Sequence, residues 1–183
     1  MTVGITLFFT GLSGAGKSTL ASIIRTKLIE DGQRPVTLLD GDVVRQNLPS
    51  ELGFSRADRD LNIRRIGFEA NEISKNGGVA ICAFIAPYRA TRREIRSLIE
   101  QHSVFIEIYL STPLSVCEER DPKGLYAKAR SGEILQFTGI SDPYELPERA
   151  ELVIDTSKAS LTQACQQVLD YLMGRGLIDA SRE

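Results

Sequence analysis

The chain is poor in the residues that many metal and hydrolytic sites need. Histidine occurs once, at His102, which excludes a His-based metal site or a catalytic triad. The three cysteines, Cys82, Cys117 and Cys165, are widely spaced and each sits in an apolar pattern, so they read as buried free thiols. No apolar run approaches the roughly 18 residues of a membrane span. The amino terminus reads as a strand and not as a charged-then-apolar signal, so the expectation is a cytoplasmic protein without a membrane partner. A formal net charge of −2 gives no bulk attraction to nucleic acid or to an anionic surface. Any anion site must therefore be a local cluster of Arg and Lys. Repeats and low-complexity tracts are missing as well. A length of 183 residues with 42% apolar and 25% charged content suits one soluble domain, 1–183, with a full core.

What is present is more specific. Residues 11–19 read Gly-Leu-Ser-Gly-Ala-Gly-Lys-Ser-Thr and fill the G-x-x-x-x-G-K-[ST] template without a mismatch. An apolar run, Ile5 to Phe9, leads in and a helical pattern, Leu20 to Leu28, leads out, which is the strand–loop–helix order a phosphate-binding loop requires. Gly11, Gly14 and Gly16 let the backbone curl so that N–H groups converge on phosphate oxygens, and the helix that follows points its positive end at the same place. Ser13, Ala15 and Thr19 complete the loop. Lys17 can reach the β- and γ-phosphates and the Ser18 hydroxyl can bind Mg²⁺. The motif implies a nucleoside triphosphate site and leaves the phosphate acceptor open.

The rest of the chain alternates. Strands are expected at Ile5–Thr10, Val36–Leu39, Val79–Phe84, Val104–Leu110 and Glu151–Ile154. Helices are expected from about Lys17 to Asp31, near Val43–Leu48, from Ala57 to Lys75, from Ala90 to Gln101, after Pro113, and over Leu161–Met173. This implies an α/β fold of the P-loop NTPase type: three αβα layers around a five-stranded parallel sheet. Residues 121–149 are polar, carry Gly124, Gly132 and Gly139, and are too long for a simple connector, so they read as a lid. Lys123, Lys128 and Arg130 would be its cations; a solvated charged face is the bland alternative.

A second constellation follows strand two. In Asp40-Gly41-Asp42, one carboxylate can hold Mg²⁺ through water and the other can accept a proton from an attacking hydroxyl. Capping of the next helix is the alternative. Arg45 shares a face with Asp42, and Arg59 and Asn62, three apart on a helix, project together. Such a cluster suits an anionic second substrate. Phe54, in Gly53-Phe54-Ser55, and Phe137, in a polar loop, could stack on a base; arginines paired with Asp58 and Asp60 and a phenylalanine in the core are the competing readings.

Together the segments Gly11–Thr19, Asp40–Asp42, Gly53–Arg65, Ile85-Ala-Pro-Tyr-Arg89, Asp121–Tyr126 and Phe137–Ile140 run in the order seen in adenylylsulfate (APS) kinases, which the chain resembles over nearly its whole length. The Asp-Arg-Asp-x-Asn-Ile-Arg-Arg and Asp-Pro-Lys-Gly-Leu-Tyr strings are the selective part. The resemblance implies that ATP and adenosine 5′-phosphosulfate give ADP and 3′-phosphoadenosine 5′-phosphosulfate (PAPS), with Mg²⁺, in a homodimer. It implies that Asp42 and Arg45 face the ribose and phosphosulfate of APS and that Phe54 and Phe137 sandwich its adenine. Arg59, Asn62, the Ile85–Ala86 backbone and Lys123 would contact it, and Asp155–Ala159 would flank the ATP adenine. Lys17 and Asp42 would be the catalytic pair. Two departures stand out. Position 86 is Ala where many relatives carry a Ser proposed to hold phosphate; Ser55 and Thr91 are the nearby hydroxyls that could replace it. The chain also starts at its first strand, as would a domain of a fusion with ATP sulfurylase or a trimmed natural form. The rival readings are a kinase for another small molecule or nucleotide, and a silent APS- or PAPS-binding module, which should have lost Lys17, Ser18 or Asp42.

Overall fold

The computed structural model describes residues 3–32, 34–41 and 55–179. Five strands, β1 (Ile5–Gly11), β2 (Val36–Asp40), β3 (Val79–Ala83), β4 (Val104–Leu110) and β5 (Leu152–Ile154), form one sheet in the order β2-β3-β1-β4-β5. Every pairing is parallel; Phe8 of β1 lies opposite Cys82 of β3 and Glu107 of β4. The described helices are α1 (Lys17–Asp31), α2 (Arg56–Lys75), α3 (Arg89–Ile99), α4 (Leu114–Arg120), α5 (Leu125–Arg130) and α6 (Leu161–Gly174).

A parallel strand buried on both faces can be apolar throughout, and β1 is buried over its whole length. Its residues divide by the pleat. Ile5, Leu7 and Phe9 join Leu20, Ile24 and Leu28 of α1 and Val168 and Leu172 of α6 in one core. Phe8 joins Ile63, Ile66 and Ala70 of α2 and Ile95 and Ile99 of α3 in the other. The result is the expected three-layer arrangement. Cys82, Cys117 and Cys165 are buried free thiols, and burial raises the Cys82 thiol well above its ordinary value.

The segment 121–149, expected as a lid, is not polar throughout. It contains the six-residue helix α5, whose first turn is capped by Asp121: its carboxylate accepts from the N–H groups of Tyr126 and Ala127 at 3.1 and 3.0 Å. Tyr126 and Phe137 are buried, and their rings meet edge to face at 5.0 Å within the first core. Two aromatics in a glycine-rich stretch thus anchor the segment to the body of the protein. The helix expected near Val43–Leu48 lies outside the described residues.

Candidate active site

The phosphate-binding loop leaves β1 at its carboxyl end and enters α1 at Lys17. Gly16 caps α1 at φ 97°, in the left-handed region that favours glycine. Gly14 (φ 77°) packs so closely that a Cβ there would lie 2.9 Å from the Cys117 carbonyl oxygen. Ala15 is buried beneath the loop. Lys17 is 8% exposed, and its Nζ donates to the carbonyls of Gly11 (2.9 Å) and Leu12 (2.7 Å). The loop is held from outside by three donors with no counterpart in the motif. Tyr126 Oη donates to Ser13 O at 2.8 Å, Arg120 Nη1 to Gly14 O at 3.2 Å, and Thr156 Oγ1 to Ala15 O at 2.9 Å.

A cleft of about 720 Å³ opens beyond the carboxyl ends of the strands, where open parallel sheets bind ligands. It gathers most of the sequence-predicted residues. Ser13, Gly14, Gly16, Lys17, Ser18, Thr19, Asp40 and Ala159 line it together with Arg59, Asn62, Ile85, Ala86, Lys123 and Phe137. Gly11 and Ala15 shape the loop from behind. Asp42, Arg45 and Phe54 lie outside the described residues. Sequence reasoning missed Arg120, which also lines the cleft, as does Thr156 of the stretch Asp155–Ala159. Among the described residues, the lining carries four cations, Lys17, Arg59, Arg120 and Lys123, against one carboxylate, Asp40. A chain of net charge −2 therefore concentrates positive charge in one place, as an anion site requires.

Several expected arrangements differ in detail. Arg59 pairs with neither Asp58 nor Asp60. Its guanidinium forms an ion pair with Asp142 (3.1 Å), donates to Thr138 Oγ1 (2.8 Å), and donates to the Gln136 carbonyl. It thus fixes the loop that carries Phe137. Of the expected lid cations only Lys123 lines the cleft; Arg130 is tied to Glu118 at 2.7 Å. Ser55 is the N-cap of α2, accepting from Asp58 N and donating to Asp58 Oδ2. Thr91 is buried and donates to Asp60. Both hydroxyls are committed to structure, and neither lines the cleft.

Mg²⁺ prefers a few hard oxygen donors plus substrate phosphates and retained waters. The exposed Ser18 hydroxyl at the start of α1 and the buried Asp40 carboxylate at the end of β2 share the cleft, so the donor set fits that ion.

Residues 3–155 match the family model described as adenylylsulphate kinase. The chain belongs to the adenylylsulphate kinase family. It is 54% identical over 178 residues to the adenylyl-sulfate kinase of Shewanella denitrificans, covering 97% of this chain and 86% of that protein. The APS kinase of Mycobacterium tuberculosis, solved with AMPPNP and APS, superposes with a TM-score of 0.88 at 42% identity, covering 94% of this chain and 99% of that one. A hexameric APS kinase from Thiobacillus denitrificans matches with a TM-score of 0.76 at 48% identity, covering 97% of this chain and 30% of that one. Membership places the chain among ATP-dependent kinases. Among the described residues, no helix is long and apolar enough to cross a membrane.

Proposed function

We propose that this cleft transfers the γ-phosphate of ATP to the 3′-hydroxyl of APS, giving PAPS and ADP. The observation that carries the reading is that a single cavity joins the phosphate loop to Arg59, Asn62, the Ile85–Ala86 backbone, Lys123 and Phe137, so that donor and acceptor can lie end to end. ATP occupies the Gly14–Thr19 side, its adenine toward Ala159. APS occupies the Phe137 side, its phosphosulfate within reach of Arg59 and Lys123.

The chemistry is largely positioning and electrostatics, as expected for phosphoryl transfer. The loop's N–H groups and the amino-terminal end of α1 cradle the phosphates. Lys17 leaves the carbonyls of Gly11 and Leu12 and follows the γ-phosphoryl group through transfer. Asp42, outside the described residues, orients the 3′-hydroxyl and takes its proton as the new P–O bond forms and the β,γ-bridging oxygen departs with ADP. Ser18, and Asp40 through water, would hold Mg²⁺, which when bound neutralises charge on the phosphate oxygens. Phe137 would offer a ring face to the APS adenine, with Phe54, outside the described residues, as the second stacking partner. Homodimeric assembly and a cytoplasmic location belong to the same reading; a relative that is itself an oligomer supports the first, and three buried unpaired thiols suit the reducing compartment of the second.

The test is a coupled ADP-release assay with Mg²⁺ across APS, AMP, CMP, shikimate and gluconate. Turnover confined to APS is expected. Equal turnover with AMP or CMP would overturn the acceptor while leaving the fold untouched. Light scattering in solution checks the dimer.

A further inference from the structure

The acceptor side of the cleft has a floor made of backbone, Ile85 to Pro87. Ala86 sits there at φ +44°, a left-handed conformation that a residue with a Cβ adopts only when its surroundings impose it. The imposing group is on the far side of the strip. Arg92, 3% exposed in the first turns of α3, donates from Nη1 to the Ala86 carbonyl at 2.6 Å and from Nη2 to the Glu145 carbonyl at 2.6 Å. Its Nε lies 2.9 Å from Glu107 Oε1 of β4, near enough for charge attraction but not aligned as a hydrogen bond. One planar fork thus joins the cleft floor, the end of the 121–149 segment and the central sheet, a task that needs the geometry of arginine and not just its charge.

The strip is held from its other edge too. Thr10 Oγ1, at the end of β1, donates to Ile85 O at 2.6 Å and lies 2.8 Å from Tyr144 Oη. Glu145 N donates to Pro87 O at 2.8 Å. Arg92 does not line the cleft, so its effect on the reaction is indirect, and the Ala86 carbonyl is its direct contact with the floor. We infer that Arg92 is a positioning residue for the acceptor: by holding the Ala86 carbonyl it keeps the Ile85–Pro87 backbone in the conformation that receives APS. The inference rests on the proposal that APS binds on this side of the cleft.

Arg92→Lys keeps a cation beside Glu107 and removes the fork. The expected result is at least a tenfold rise in the KM for APS, with the KM for ATP and kcat within about threefold of the parent. Adding Ala86→Gly should recover most of that rise, because glycine adopts positive φ without being held there. A circular-dichroism melt checks folding. Should Arg92→Lys fail to fold, Arg92→Met with Glu107→Gln removes both charges together, leaves neither buried alone, and should show the same selective rise. Parallel rises for both substrates, no rise for APS, or no recovery with glycine would overturn the inference. If the parent enzyme releases no ADP with APS, the acceptor assignment has failed, and the same split and recovery are read with whichever acceptor of the panel it uses.

Discussion

Lys17→Ala separates binding from transition-state stabilisation. The side chain is buried, and its ammonium is already engaged by the carbonyls of Gly11 and Leu12. Each such bond to a charged donor is worth about 1.5–3 kcal/mol net. When triphosphate arrives, those bonds are exchanged for bonds to phosphate oxygens, so the ground state gains only the difference. Both sets of bonds have an ionised donor, so only the charge on the phosphate oxygens adds to them, a ground-state gain on the order of 1–2 kcal/mol. In the transition state, charge builds on the transferred group and the bridging oxygen, where a preorganised donor contributes about 3–4 kcal/mol. Lys17→Ala should therefore raise the KM for ATP by about five- to thirtyfold and lower kcat by about a hundred- to a thousandfold. Water in the cleft can replace the ammonium at Leu12 O, so the melting temperature should move by no more than about 4 °C. ADP release measured over an ATP series, with APS saturating, reads both constants. A kcat within tenfold of the parent, or a loss confined to KM, would refute the assignment of Lys17 to the transition state.

Phe137→Leu should weaken APS by about 1–3 kcal/mol, the range for base–aromatic stacking, and leave ATP affinity nearly unchanged. Titration calorimetry of each ligand reads the difference; equal weakening of both would make Phe137 a core residue only. Burial pushes the Glu151 carboxyl up, but the Arg96 fork and the N–H of Glu107 outweigh it and hold the group below the ordinary carboxylate value. A depressed folded-state pKa gives stability that is present at neutral pH and lost as pH falls through the acid range. Glu151→Gln should flatten that acid-side decline in a melt series from pH 7 to 3; an unchanged slope would contradict it. Ala86 cannot carry phosphate, and Ser55 and Thr91 are bonded to Asp58 and Asp60, so transfer should be direct. Initial-rate plots against ATP at several APS concentrations should intersect, and a chiral γ-phosphate should invert; parallel lines with net retention would establish a phosphoenzyme.

The sheet and its helices were legible because their signals are local. Ile5 to Phe9 is apolar at every position but Thr6, and α1 repeats its apolar residues at helical spacing up to Gly32. The phosphate loop was legible for the same reason, since nine consecutive residues carry it. The packing of residues 121–149 was not legible because glycine and charge dominate the stretch, while the two residues that decide it, Tyr126 and Phe137, are isolated aromatics eleven positions apart with no periodicity to announce them. Arg59 lines the cleft, but its partners Gln136, Thr138 and Asp142 lie about eighty residues away, and no spacing rule reaches that far.

The contacts that brace the phosphate loop from behind were not legible in the sequence, and they share one physical reason. A peptide unit is planar, with N–H and C=O opposed. A loop that turns successive N–H groups toward a phosphate must therefore turn carbonyls of the same stretch the other way, into the protein. Buried carbonyls need donors. Ser13, Gly14 and Ala15 obtain theirs from Tyr126, Arg120 and Thr156, which belong to three different segments between 106 and 141 positions away. The motif makes the existence of such donors a requirement while leaving their identity to the tertiary fold. Thr156 shows the economy of the solution: its hydroxyl donates to Ala15 and its carbonyl accepts from Arg120. Both Arg120 and Thr156 also line the cleft. The same two side chains can then sense the nucleotide in front of the loop and brace the loop from behind, so substitutions at Arg120 should perturb ATP binding through loop geometry as well as through charge. Arg120→Lys, which keeps the charge and loses the fork, separates the two: a rise in the KM for ATP comparable to that of Arg120→Met assigns the effect to bracing, whereas near-normal binding assigns it to charge.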